Sequence, residues 1–235
     1  MANTATLTIA TNIITAPGEA FAAIKERPSP WFPLLVIAIV AAVASYLFVD
    51  RVDLAWFLDT QIRAQGQMTD EERAQAVETI QNIPKAVYVA SGIASSLIFY
   101  PVFFALAALY FTGVSFATNT GVKFKQWFAL TAWCCLPFVL GLFATIANLL
   151  ANDVRFMLPQ TVNPLSFGNL LGIEAANTSG VEGFLLSRDP TTLWVIVLIV
   201  FGYQALSQKS LVSSATVVLA PFALIVLLSA LVSLF

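Results

Sequence analysis

The chain has 235 residues, with 11 Lys and Arg against 13 Asp and Glu, no His, and a formal net charge of −2; charged residues make up only 10% and hydrophobic residues 59%. Soluble domains average about 25% charged and about 45–50% apolar residues, so this composition excludes a water-soluble fold. The near-neutral charge, with no basic cluster, also excludes nucleic acid as a partner.

Residues 1–15 have neither a basic start nor a cleavable apolar run and do not read as a secretory signal, which leaves targeting to the first span. Residues 17–25 read as a short amphipathic helix with Phe21 and Ile24 on one side, suited to resting on the cytoplasmic headgroups. Five long segments without Asp, Glu, Lys or Arg follow, at about 31–49, 86–112, 127–151, 191–207 and 211–235. Crossing a hydrocarbon core about 30 Å thick takes about 20 helical residues. The fold class is therefore an all-α integral membrane protein with five transmembrane helices. A cytoplasmic N-terminal segment, 1–30, precedes a single membrane domain, 31–235. The fourth span is the shortest and carries Gln204. Nine Leu, Ile, Val and Phe residues still favour its insertion, by about 3–5 kcal/mol at about 0.3–0.6 kcal/mol each. Continuous apolar runs at 195–201 and 219–228 do not fit the alternation of a membrane barrel.

Between the first two spans, Thr69 followed by Glu72 has the spacing of a capping box and predicts a loop helix over 70–81, with Ala74, Val77 and Ile80 on one stripe and Gln75, Glu71 and Glu78 elsewhere. Such a stripe suits packing on the membrane face of its own protein more than binding a partner. Pro84 suits the first turn of the second span. The loop at 152–190 is long enough to hold structure of its own, and Asn163-Pro164 predicts a short interfacial helix over 164–171, ended by Gly172. Asp189-Pro190 repeats the cap-and-proline signal before the fourth span. Asn177-Thr178-Ser179 has the form of a glycosylation acceptor, a pattern too short to weigh.

Loop charges give an orientation. With the N-terminus cytoplasmic and the C-terminus outside, Lys25, Arg27, Lys123, Lys125 and Lys209 share the inner side with only Glu19 and Glu26, while the outer side holds six bases and eleven acids. Raw base counts are nearly equal, so the assignment rests on basic density beside the spans. Trp31 and Trp127, next to prolines and lysines, mark the inner interface.

Inside the spans, Cys134 and Cys135 are adjacent, without metal-ligand spacing, and read as small core residues. Pro101, Pro137 and Pro221 either line a kinked lumen or shape a packed bundle. Small residues four apart, such as Ala41 and Ser45, Ser91 and Ser95, and Gly141 and Thr145, suit close helix contacts. Asp50, Arg51 and Asp53 read as an interfacial ion-pair network. No catalytic, cofactor-binding or metal site assembles from these residues, and no cofactor is implied. The lack of intramembrane ionisable groups disfavours an ion-coupled transporter.

Pro17-Gly18-Glu19-Ala20-Phe21, Ile24-Lys25-Glu26-Arg27-Pro28 and Pro33-Leu34-Leu35 resemble bacterial members of the Yip domain family, the Rab/Ypt-interacting-protein family. The likeness continues through Phe124-Lys125-Gln126-Trp127-Phe128-Ala129-Leu130, Pro137 and Asn163-Pro164-Leu165-Ser166. The resemblance implies a five-span membrane protein with a cytoplasmic N-terminus. In eukaryotes it implies binding to Rab-type GTPases and roles in vesicle formation. An Asp-Leu-Tyr-Gly-Pro type motif is missing ahead of the first span, which puts GTPase binding in doubt. The expected function is non-enzymatic, acting through helix packing with itself or other membrane proteins in the lipid bilayer, in the cytoplasmic (inner) membrane of a bacterium. The alternative is a channel or facilitator for a small neutral solute.

Overall fold

The absence of strands among the described residues and the long apolar helices follow from one requirement, that backbone N–H and C=O groups in lipid find partners within the chain itself. The computed structural model describes residues 2–64, 69–173 and 180–232, and all regular structure among them is α-helical. Among the described residues, three helices are long and apolar enough to cross a membrane: α3 (Trp31–Arg51), α6 (Lys85–Thr118) and α11 (Pro190–Ser207). A fourth crossing results if α7 (Phe124–Cys134) and α8 (Phe138–Ala151), bent by 40° at the break between them, count as one. The sequence predicts a single span over 127–151. Its division has a simple cause: Pro137 has no amide proton to continue the ladder, and short turns at Leu136 and Phe138 replace it. The last helix, α12 (Leu211–Val232), packs along α11 and against α10 (Gly180–Leu186); the final residues of the expected fifth span, 233–235, lie outside the described residues, as does Asn177-Thr178-Ser179.

The N-terminal region differs most from expectation. The sequence predicts no helix over residues 1–15, yet α1 (Ala2–Thr15) forms, with the Thr11 and Thr15 hydroxyls donating to the carbonyls four residues back. The next helix, α2 (Pro17–Glu26), does not lie on headgroups along its apolar side. Ala20, Phe21 and Ile24 are buried against α7 and α11, where they join a cluster around Trp127, Leu130, Leu198 and Leu206. Protein side chains there offer closer contact than lipid, which is as apolar as they are and gives no hydrophobic reason to choose otherwise.

Trp127 anchors that cluster. It is 0% exposed and stacks on Tyr203 of α11 at 4.9 Å. Phe111 of α6 lies 5.4 Å from it, and its indole N–H donates to Ser115 Oγ at 2.9 Å. One residue thereby ties α6, α7 and α11 together. Small residues permit the remaining close approaches. A side chain at Gly92 of α6 would strike Ser45 of α3, and one at Gly202 of α11 would lie 2.6 Å from Leu130. Ala38, Ala41 and Ala44 form the buried stripe of α3.

Outside the bundle, α4 (Leu54–Ala64) and α5 (Asp70–Gln81) fill the first long loop. Thr69 and Glu72 form the expected capping box: the Glu72 amide donates to Thr69 Oγ1 at 3.3 Å, and the Thr69 amide to Glu72 Oε2 at 2.8 Å. The backbone hydrogen bond from Thr69 is also the main reason the Glu72 carboxyl lies below its ordinary pKa. α5 packs on α4 with Val77 and Ile80 half-buried and Glu71, Gln75 and Glu78 exposed. The short interfacial helix, α9 (Phe167–Leu171), starts three residues later than the sequence predicts, because Ser166 supplies its cap. Asn163 accepts instead from the Leu165 amide, a local turn that keeps residues 163–165 out of the helix.

Replacing Trp127 by Ala removes the stacking, the aromatic volume and the partner of Ser115. Such core truncations cost about 3–5 kcal/mol. Thermal unfolding of the detergent-solubilised protein should show a large drop in midpoint for Trp127→Ala, whereas Trp31→Ala, at a residue 66% exposed, should leave the midpoint nearly unchanged.

Candidate functional site

The ends of the bundle differ in chemistry, and the polar structure lies there. At one end the starts of α3, α7 and α12 meet the ends of α2, α6 and α11. The bases Lys25, Arg27, Lys123, Lys125 and Lys209 belong to this end. α7 organises it by reaching back to the N-terminal region. The Trp133 indole donates to the Ser29 carbonyl at 2.9 Å, its ring stacks on Phe32 at 5.7 Å, and Gln126 Nε2 donates to the Lys25 carbonyl at 3.3 Å. Left-handed residues end the helices here, Asn119 at φ 51° after α6 and Gln208 at φ 58° after α11. Between these ends lies a cleft of about 310 Å³ bordered by Lys25, Thr120, Gln126 and Lys209.

The opposite end carries most of the acids. Asp50, Arg51 and Asp53 do not form a mutual network. Asp50 pairs with Lys85 at 3.1 Å, joining the end of α3 to the start of α6, and Asp53 Oδ1 accepts from the Trp56 amide to cap α4. Asp153 forks against Arg155, with 2.7 Å between Oδ2 and the guanidinium, and these hydrogen bonds push its pKa down to about 2. Both groups are exposed, so the pair shapes the loop more than it stabilises the fold.

One carboxylate at this end is different. Asp189 is only 7% exposed. Its Oδ1 accepts from the Thr191 amide at 3.0 Å and from the Thr191 hydroxyl, which caps α11. Its Oδ2 accepts from Asn163 Nδ2 at 2.8 Å and occupies the space left by the missing side chain of Gly141 in α8. Around it, Asn148 Nδ2 donates to the Val162 carbonyl at 2.8 Å, and Asn169 Nδ2 donates to the carbonyls of Thr161 and Asn163 at 2.8 and 2.7 Å. The result is a polar clamp that fastens the loop after α8 to both α8 and α11. Each side-chain amide donor meets a carbonyl or carboxylate. The sequence shows the cap signal of Asp189-Pro190; the burial depends on Gly141, 48 positions earlier, and no local pattern links the two.

The inward-facing residues around Pro101 and Pro137 are packed. Tyr100 and Phe104, which flank Pro101, share a cluster with Cys135, Leu136 and Phe138, which flank Pro137, and Phe104 and Cys135 are fully buried. Pro221 leaves the Val217 carbonyl of α12 without its helical donor, and the Tyr110 hydroxyl supplies one at 2.8 Å. Cys134 and Cys135 are both free and buried. Among the described residues, no group of three or more Cys, Asp or Glu comes together as a metal site would require.

Long apolar helices, joined by short turns at the basic end and by longer helix-bearing loops at the other, define a polytopic α-helical integral membrane protein. The chain belongs to the Yip1 family: the model of the Yip1 domain matches residues 11–234. It is also 29% identical over 198 residues to the membrane protein YknW of Bacillus subtilis (strain 168), a match covering 81% of this chain and 74% of that protein, which marks a bacterial-type member. No solved structure matches the chain.

The clamp can be tested by proteolysis. Asp189→Ala removes the α11 cap, worth about 0.5–2 kcal/mol, and leaves Asn163 without its acceptor. Gly141→Ala places a methyl group where the carboxylate lies. Both variants should be cut by trypsin at Arg155 several-fold faster than the parent, while Arg188→Gln, at an exposed neighbour, should not.

Proposed function

We propose that this Yip1-family chain is a non-enzymatic membrane scaffold that works by lateral helix packing, with a second copy or with other membrane proteins. It spans the bacterial cytoplasmic membrane five times, with the N-terminus inside and the C-terminus outside, and no residue is given a catalytic, cofactor or metal role. The observation that carries this reading is the outward face of α6. Phe99, Val102, Phe103, Leu106 and Leu109 are all exposed, with Phe99 stacked on Phe103 at 6.0 Å, and the face continues past the open surface at Gly113 to Phe116, 88% exposed. Its spacing of three and four residues is that of a helix seam able to interlock with another helix. Lateral association in lipid relies on such surfaces, because hydrophobic burial offers no drive there.

The topology has its own support. Counting α7 and α8 as one span bent by 40° gives the third crossing, and α12, which begins beside the end of α11 and also contacts α10, gives the fifth. Basic residues crowd the end that holds α2, as the positive-inside rule requires of a cytoplasmic face.

Single cysteines placed at Phe103 or Leu106, in a background with Cys134 and Cys135 replaced by Ser, should crosslink in native membranes to a second copy or to a neighbouring protein. A cysteine at buried Phe104 should not. A chain that stays monomeric and without adducts from every exposed α6 position overturns the scaffold reading. Cysteines at Thr69 and Lys123 should label from opposite sides of the membrane; labelling from the same side overturns the topology.

A further inference from the structure

The cleft at the basic end continues into a second recess. The cleft of about 310 Å³ and a groove of about 490 Å³ share Gln208 and Lys209 as a common border. Lining changes along this path. Lys25, Lys209, Thr120 and Gln126 surround the cleft, while Pro17, Phe21, Phe201 and Ala205 line much of the groove, which lies between α2 and α11. Phe201, 45% exposed, faces away from the buried cluster around Trp127. A polar, cationic chamber thus opens directly onto an apolar trough at the ends of membrane helices.

Two further observations bear on what fills it. Lys25 and Lys209 are exposed and form no ion pair among the described residues. The Thr120 hydroxyl, which borders the cleft, is buried without a hydrogen-bond partner. A buried hydroxyl left unpaired costs free energy and implies a missing partner. The acids of α2 do not compensate the lysines: Glu19 accepts from Asn12 Nδ2 at 2.9 Å, and Glu26 sits exposed beside Arg27.

We propose that this composite recess binds an anionic phospholipid, with the headgroup phosphate in the cleft between Lys25 and Lys209, an oxygen accepting from Thr120, and an acyl chain along Phe201 and Phe21. Charge complementarity selects an anionic headgroup, and the attached apolar trough at the ends of α2 and α11 selects a lipid over a soluble anion. Basic pockets between membrane helices bind such headgroups through the same combination. The site stands on membrane insertion alone and does not depend on association through α6.

The full chain, purified in a neutral detergent, is titrated with phosphatidylglycerol, phosphatidylcholine and inorganic phosphate, with binding read by native mass spectrometry and by the thermal unfolding midpoint. Phosphatidylglycerol should bind and raise the midpoint; phosphatidylcholine and phosphate should do neither. Lys25→Gln with Lys209→Gln should weaken phosphatidylglycerol binding roughly thirty-fold, the scale expected for two lysines at about 1 kcal/mol each near anionic lipid. Lys123→Gln with Lys125→Gln should leave it within about two-fold. Thr120→Val should weaken binding while keeping or raising the lipid-free midpoint, which a merely structural threonine would not do. Equal binding of phosphatidylcholine, competition by inorganic phosphate, or undiminished binding to the Lys25/Lys209 double variant would each overturn the proposal.

Discussion

Hydrocarbon offers no hydrogen-bond partner, so every polar atom carried into the bundle must be met by another atom of the chain. This constraint decides where the helices touch. The Trp127 indole needs an acceptor and takes Ser115, which brings α6 and α7 together. The carbonyl released by Pro221 needs a donor and takes the Tyr110 hydroxyl, which fixes α12 against α6. Hydroxyls without a distant partner fold back onto their own helix, as Thr112, Thr131 and Thr145 do onto the carbonyls four residues earlier. The polar residues in the spans act as fasteners, and the few that reach between helices determine the arrangement.

The two ends solve different problems with different chemistry. Where α8 gives way to a long loop, a buried carboxylate gathers amide donors and secures the chain without an opposing charge. Its two oxygens accept from a backbone amide, a hydroxyl and a side-chain amide, a set whose directions fix the loop more specifically than one flexible base would. At the other end the backbone is held by tryptophan and glutamine, and the lysines are left uncommitted. Charge committed to structure at one face and free at the other gives the molecule a polarity that composition alone, nearly neutral, does not reveal.

Membrane class, the positions of the long helices and the capping box at Thr69 were legible in the sequence, because each depends on residues close together in the chain. Hydropathy reports on about 20 neighbours, and a cap on four. The interior prolines were legible as kinks, although only Pro137 divides its span while α6 and α12 run through Pro101 and Pro221; what surrounds them depended on contacts between distant parts of the chain, such as that of Phe104 with Cys135. The burial of α2 was illegible for the same reason. Phe21 and Ile24 look alike whether they face lipid or Trp127, since both surroundings are apolar. α1 was missed because Thr11 and Thr15 turn their hydroxyls back onto carbonyls of their own helix, a solution that no spacing of apolar residues announces. Asp189 was read as a cap and is one, yet its concealment depends on a glycine in another helix.

The length of α6 carries a consequence for the membrane itself. Its 34 residues extend about 51 Å at about 1.5 Å per residue, against a hydrocarbon core about 30 Å thick. No charge interrupts it after Lys85. Length beyond the core is taken up by tilt, by a bend at Pro101, by local thickening of the bilayer or by ends that stand in the headgroup layers, and how it is shared among these changes with bilayer thickness. The helix is in effect a gauge of the membrane it occupies, and it makes the energy of the chain depend on where in a laterally uneven membrane it resides.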